Sequence, residues 1–230
     1  MIQFLSPRFA KAFAYWTHSL SKYLFAPYAF CVLMMVLFAP VDAVQGSVYR
    51  MIYIHVPCAI ISLMACFFMG VFSIVYWVYH LRIAQILSYQ AARVGCLAAW
   101  LSIITGAFWG YYTWGTWWLW DMRLTAQFIL ALLYTLYLLA YRASTLRMIS
   151  SKVVALIAII AMIDIPIIHF SVEWWQSLHQ KSTLMSLTNH TMPYSMYMPL
   201  LAVIIAVVWL NLWWSAAYFM HHYPIRNAHE

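Results

Sequence analysis

Six stretches of this chain are long and apolar enough to cross a lipid bilayer, and that pattern decides most of what the chain can fold into. They run roughly over Leu24–Phe38, Val56–Tyr79, Ala91–Trp109, Leu124–Tyr141, Val153–Phe170 and Met196–Phe219. A hydrocarbon core asks for about 20 apolar residues per helix, so the first stretch is short and must borrow from its flanks. The runs are continuous and do not alternate, which selects helices over a transmembrane barrel. Composition closes the other routes. Of 230 residues, 67% are hydrophobic and only 7% charged, too few charges to cover a wet surface. With 6 Gly and 8 Pro, collagen and disorder are excluded as well. No internal repeat is evident. The expectation is an all-α integral membrane protein, a single six-helix domain over residues 1–230.

The formal charge of +7 is a statement about sidedness, not about nucleic acid, for which nothing in the chain is built. Arg8, Lys11, Lys22, Arg82, Arg93, Arg142, Arg147, Lys152 and Arg226 fall on one side of the six spans, and Arg50, Arg123 and Lys181 on the other. The positive-inside rule places the first group in the cytoplasm. Both termini are then cytoplasmic, and three connections face outward, at about 39–55, 110–123 and 171–195. Met1 to Lys22 reads as a cytoplasmic lead-in without a small-residue cleavage site. The four cysteines, Cys31, Cys58, Cys66 and Cys96, lie in or beside apolar runs and read as buried thiols. No CxxCH is present, so the chain is not itself a c-type cytochrome.

The outward side is where the composition becomes unusual. Aromatic residues make up 19% of the chain, with 13 Trp. The second outer connection, Trp109 to Arg123, holds five Trp and two Tyr. An interfacial belt accounts for one or two Trp per helix end, not for Trp114, Trp117, Trp118 and Trp120 together. If Trp114 to Asp121 is helical, Trp114, Trp117, Trp118 and Asp121 share one face and form an aromatic shelf for a flat ligand. Pro57 is tolerable because it is expected in the first turn of the second span. The 9 histidines sort by side: His55, His169, His179 and His190 face outward.

These groups suit haem, a flat apolar ring with an iron centre and two carboxylates. Iron takes imidazole as an axial ligand, Trp faces can carry the ring, and Arg123 can meet a propionate. Two axial histidines approach from opposite sides of the ring and so come from different loops. His55 and His179 meet that condition; His55 with His80 does not, since 25 helical residues separate them by roughly 37 Å. His169 is the main competitor of His179. Ten residues of helix between them span about 15 Å, so the two cannot serve one iron.

The stretch Trp114-Gly115-Thr116-Trp117-Trp118-Leu119-Trp120-Asp121-Met122-Arg123 resembles the WWD signature of haem-handling membrane proteins. Within that superfamily the chain is most similar to the cytochrome c maturation protein C (CcmC) family. Arg50-Met51-Ile52-Tyr53-Ile54-His55-Val56-Pro57 and the region from Pro166 through His169 to His179 and Gln180 resemble its two histidine regions. The likeness runs from about Gly46 to Ser182, and six spans suit the small member of the superfamily. It implies a multi-pass protein of the bacterial inner membrane that binds haem (haem b) at the periplasmic face through the WWD loop between helices 3 and 4. The ligands would be His55 and His179, with Trp114, Trp117, Trp118, Trp120, Asp121 and Arg123 around the ring. Haem would pass to a periplasmic haem chaperone during c-type cytochrome biogenesis by system I. The implied partners, besides the lipid bilayer, are an ABC transporter pair and a small single-span subunit. The chain itself would be a haem-presenting assembly factor and no enzyme, with any ATP hydrolysed by a partner.

Two other classes compete. A b-type cytochrome for transmembrane electron transfer usually carries histidine pairs inside its helices, and mid-span histidines are absent here. A transporter for haem shows broken helices and polar groups at the midplane; Asp164 beside Pro166 is the main candidate of that kind. Asp121 also has a plain reading, as the N-cap of the fourth span.

Overall fold

The computed structural model describes residues 7–175, 179 and 192–222, with backbone alone for 7–11 and 219–222. His190 and most of the third outer connection, 176–178 and 180–191, lie outside the described residues, as do Lys181 and Arg226. The described residues are essentially all helical: α1 (Pro7–Leu37), a short 3-10 turn (Ser47–Met51), α2 (Ile52–Tyr79), α3 (Arg82–Trp114), α4 (Met122–Thr145), α5 (Ser151–Ala161), α6 (Asp164–Trp174) and α7 (Tyr194–His222). Six helical stretches are long and apolar enough to cross a membrane, with α5 and α6 together forming one of them, Ser151–Trp174.

Three expectations shift. The first span is not a short segment beginning at Leu24. Helix is already present at Pro7, the first described residue, and Phe13, Trp16 and Leu20 keep the apolar pattern going upstream of Leu24. The fifth span is interrupted at Met162–Ile163. Pro166 has no N–H to give to the Met162 carbonyl, and the chain responds with 3-10 bonds, Met162 N–H to Ile159 O, Ile163 N–H to Ile160 O and Ile165 N–H to Met162 O. Pro57 is not in the first turn of its helix, since α2 begins at Ile52 and the 3-10 turn extends it further back. Proline in a membrane helix is tolerated where neighbouring groups take up the released carbonyl.

Two compact units are present, one from the described residues of Met1–Ala39 and Met198–Glu230, the other from Pro40–Tyr197. In the first, α1 and the body of α7 are joined by hydrogen bonds that side chains give across the pair. Tyr28 donates to Ala202 O at 3.0 Å, Trp209 to Ser21 Oγ at 2.8 Å and Trp213 to His18 Nδ1 at 3.0 Å.

In the second unit, α2 and α3 form an antiparallel pair joined through His80 in the left-handed conformation, φ 55°. α4 and the α5–α6 rod pack against them. The shared core is built from small residues, Ala65, Cys66, Ala92, Ala99, Ala126, Ala131, Ala158 and Ala161, filled in by Met69, Leu130, Tyr134 and Tyr137. Between lipid-exposed helices there is no hydrophobic drive to associate, so close backbone approach and polar contacts carry the packing. Tyr134 lies over Gly95, where a Cβ would overlap its ring, and donates to Ser62 O at 2.7 Å. Gln127 donates to Ser62 Oγ at 3.1 Å, and Ser73, Ser88 and Tyr137 form a second buried set at 2.8 Å. The antiparallel order brings the start of α2, the end of α3, the start of α4 and the end of α6 to one end of this unit. The basic residues Arg82, Arg142, Arg147 and Lys152 lie towards the other end.

Candidate functional site

His55 stands one turn into α2, against α3. Its Nδ1 lies 2.9 Å from Ser102 O and 3.3 Å from Thr105 Oγ1. A carbonyl can only accept, so Nδ1 carries the ring proton and Nε2 carries the lone pair. The seat exists because residue 106 is glycine: a Cβ there would sit 2.8 Å from His55 Cε1. The indole of Trp109, one turn further along α3, meets the imidazole edge-on, centroids 5.7 Å apart and planes at 82°. Tyr49 packs on Trp109 in the same manner at 5.8 Å.

α3 ends at Trp114, where Gly115 takes φ 75° and Gly115 N–H bonds Tyr111 O. Residues 115–121 are not helical. The single-face shelf expected of Trp114, Trp117, Trp118 and Asp121 is therefore not what the backbone builds; the left-handed glycine stops the helix and sends the tryptophans in different directions. Trp114 meets His179 edge-on at 5.0 Å. Trp117 stacks on Tyr111 at 4.5 Å and 17° and touches Phe108, on the opposite face of α3 from Trp109. Trp118 packs on Phe128 and against Trp120, and its indole N–H is buried with no acceptor among the described residues. Trp120 is 78% exposed.

Asp121 does two things. Its Oδ1 accepts the Leu124 N–H at 2.8 Å and so caps α4, as one reading of the sequence held. Its Oδ2 lies 3.4 Å from His179 Nδ1, long for a charge-assisted bond. With Nδ1 turned to a carboxylate, the lone pair of a neutral His179 is again on Nε2. His179 and Arg123 both lie within electrostatic reach of His55. The end of the second unit thus gathers His55, His179, Asp121, Arg123, Trp109, Trp114 and Trp118. His169 is exposed and packs edge-on with Phe170. Asp164 is buried at the start of α6, its Oδ2 without a partner among the described residues.

This arrangement coincides with a family match along nearly the whole chain. The model of the CcmC family, described as heme exporter protein C, matches residues 2–229. The chain belongs to the heme exporter protein C family. Heme exporter protein C of Haemophilus influenzae is 39% identical over 176 residues, which cover 76% of this chain and 72% of that protein. The Escherichia coli K12 protein of the same name is 38% identical over 148 residues, 64% of this chain and 60% of the relative. A ccmC-like mitochondrial protein of cytochrome c biosynthesis from Marchantia polymorpha is 39% identical over 156 residues, 68% of this chain and 66% of the relative. The match to the Escherichia coli relative thus spans about three fifths of that protein's length. Six membrane-length helices and bacterial relatives of this family make the chain a multi-pass inner-membrane protein.

Sequence reasoning named His55 and His179, and the Asp121 and Trp114 that lie against His179, but missed what lies against His55. Gly106, Ser102, Trp109 and Gln45 did not enter the candidate set. Gly106 left a signal, a glycine inside an apolar helical run, as did Gly95; a backbone carbonyl such as Ser102 O leaves none.

Proposed function

We propose that this protein binds haem b at the outward, periplasmic end of its second unit and passes it to a periplasmic haem chaperone for c-type cytochrome biogenesis. The observation that carries the reading is the pair His55 and His179. They come from different elements, converge on one end of the bundle, and each turns Nδ1 to an acceptor so that Nε2 presents its lone pair. Metal-ligating histidines are oriented by this kind of partner. The names of the relatives, heme exporter and cytochrome c biosynthesis, support the same cargo.

In this reading Nε2 of His55 and Nε2 of His179 ligate the iron. Trp114 and Trp118 border the ring, and Trp120 covers an exposed margin of it. Arg123 and the buried Trp118 N–H meet the propionates, which would supply the acceptor that this N–H lacks among the described residues. Coordination and stacking hold the cargo reversibly, as a protein that must release haem requires, and leave the vinyl edge open to attack by a chaperone. The chain acts as a haem-presenting component of an assembly, beside an ABC transporter pair and a small single-span subunit that hydrolyse ATP or support the complex. Trp117, folded onto Tyr111 and Phe108, anchors the loop in the headgroup region.

The test is the optical spectrum of protein purified from wild type and from His55→Ala, His179→Ala and His169→Ala. Haem should copurify with the wild type in a low-spin form that both His55→Ala and His179→Ala abolish and His169→Ala leaves intact. Loss with His169→Ala and retention with His179→Ala would overturn the ligand assignment.

A further inference from the structure

We propose that Gln45 is a positioning residue for His55, acting through Trp109. The inference rests on the haem reading of the site and adds the first outer connection to it.

The geometry is a chain of fixed contacts. Asp42 Oδ1 accepts the backbone N–H groups of Val44 at 2.9 Å and Gln45 at 2.7 Å, and Gly46 N–H returns to Asp42 O at 3.1 Å. Gly46 closes the turn at φ 63° and ψ −143°, a conformation that needs a residue without Cβ. This five-residue turn is therefore locally determined, and it presents one side chain to α3. Gln45 Oε1 accepts the Trp109 indole N–H at 2.8 Å. That N–H is the only polar handle on a large apolar ring, so the bond fixes which way the indole faces. Tyr49 packs against the indole as well, so the ring is held from two directions.

His55 needs this support. The bond from Nδ1–H to Ser102 O, with Thr105 Oγ1 at 3.3 Å, holds the ring by one edge, and the torsion about Cβ–Cγ still sets the tilt of its plane. The Trp109 indole, meeting the ring at 82°, limits that tilt from the side. The plane of an axial imidazole and its hydrogen bonding are among the levers a protein has on haem iron. Gln45 touches neither histidine nor ligand, and its effect is transmitted by one indole.

The experiment uses the full chain, purified and loaded with ferric haem, and reads the electron paramagnetic resonance g-anisotropy and the haem dissociation rate. Gln45→Leu removes the acceptor, Gln45→Glu keeps an acceptor oxygen in place, and Trp109→Phe keeps a ring but removes the N–H. Gln45→Leu and Trp109→Phe should shift the g-anisotropy in the same direction and speed haem loss about five-fold, the effect of one hydrogen bond. Gln45→Glu should restore the wild-type signal. The double variant Gln45→Leu/Trp109→Phe should be no worse than either single, because both remove the same bond. Wild-type g-values and rate in Gln45→Leu, or additive effects in the double variant, would overturn the proposal. Should Gln45→Leu fail to fold, Gln45→Glu and Trp109→Phe decide: a wild-type signal in Trp109→Phe rejects the mechanism. Failure of the haem reading itself is seen elsewhere, as a wild-type protein that holds no haem or a His55→Ala protein that keeps the low-spin signal.

Discussion

Substituting Gly106 by Ala separates the demands of the helix from the demands of the site. Alanine is the better helix residue by about 0.8–1.0 kcal/mol, and Gly106 lies inside α3 with no positive φ to excuse it. The added Cβ would stand 2.8 Å from His55 Cε1, whereas carbon atoms pack at about 3.5–4.0 Å. The imidazole must withdraw from α3 by roughly 0.7–1.2 Å. The bond from Nδ1 to Ser102 O, now 2.9 Å, then opens to about 3.6 Å and ceases to be a hydrogen bond. Its loss weakens the positioned ligand by about 1 kcal/mol, roughly five-fold in haem affinity. Thermal unfolding of the haem-free protein should therefore stay about level, the helix gain offsetting the lost bond, while haem retention falls. Haem titration with parallel thermal melts measures both. The double variant Gly106→Ala/His55→Ala should bind no worse than His55→Ala alone, since the added methyl acts only on that ring. A Gly106→Ala protein with wild-type haem affinity and spectrum would refute the claim that Gly106 makes the seat of His55.

Three further outcomes follow from the same contacts. Asp121→Asn should preserve α4, because Asn caps about as well as Asp, yet release haem faster as the carboxylate facing His179 is lost; equal retention would reduce Asp121 to a cap, and Asp121→Ala should in addition cost about 1 kcal/mol of stability. Trp117→Leu should lower the melting temperature through loss of stacking on Tyr111, worth about 1 kcal/mol, and leave the haem spectrum unchanged; an altered spectrum would place Trp117 on the ring. Tyr134→Phe removes the hydroxyl bonded to Ser62 O and should cost about 0.6 kcal/mol in the membrane, read by denaturation in detergent, with haem binding unaffected.

The spans were legible because twenty apolar residues in a row have few other uses. Their ends were less so. The helical run of α1 upstream of Leu24 was hidden by Arg8, Lys11 and Lys22, whose charges suggest a cytoplasmic lead-in although the apolar residues between them continue a helix. The break at Met162 was written in Pro166, four residues on, and is a consequence of one missing N–H. At the site, His55, His179 and Asp121 stood out by chemistry, while the shelf of tryptophans was misread. Periodicity placed Trp114, Trp117 and Trp118 on one face, and a single glycine, Gly115 at φ 75°, cancels that periodicity. Contacts such as Trp109 to Gln45, 64 positions apart, depend on how α3 meets the first outer connection, and no local pattern encodes them.

The two histidines are held by unlike partners on different helices, and this bears on how cargo leaves. His55 is fixed from α3, by the Ser102 carbonyl and the Gly106 ledge; His179 faces Asp121 at the start of α4. The only covalent link between these two supports is the short run from Gly115 to Asp121, the most Trp-rich part of the chain. A carboxylate makes an imidazole a more basic ligand than a carbonyl does, so in the haem reading proposed above the two iron bonds are unequal. Because Asp121 also caps α4 through Leu124 N–H, any displacement of the loop that shifts Asp121 acts on His179 and leaves the Ser102 bond of His55 in place. A partner pressing on the exposed Trp120 would reach that aspartate one residue away. In that reading the loop proposed to border the ring is also the lever on one of its two proposed ligands, and release by way of His179, with His55 as the fixed point, is the order this asymmetry favours.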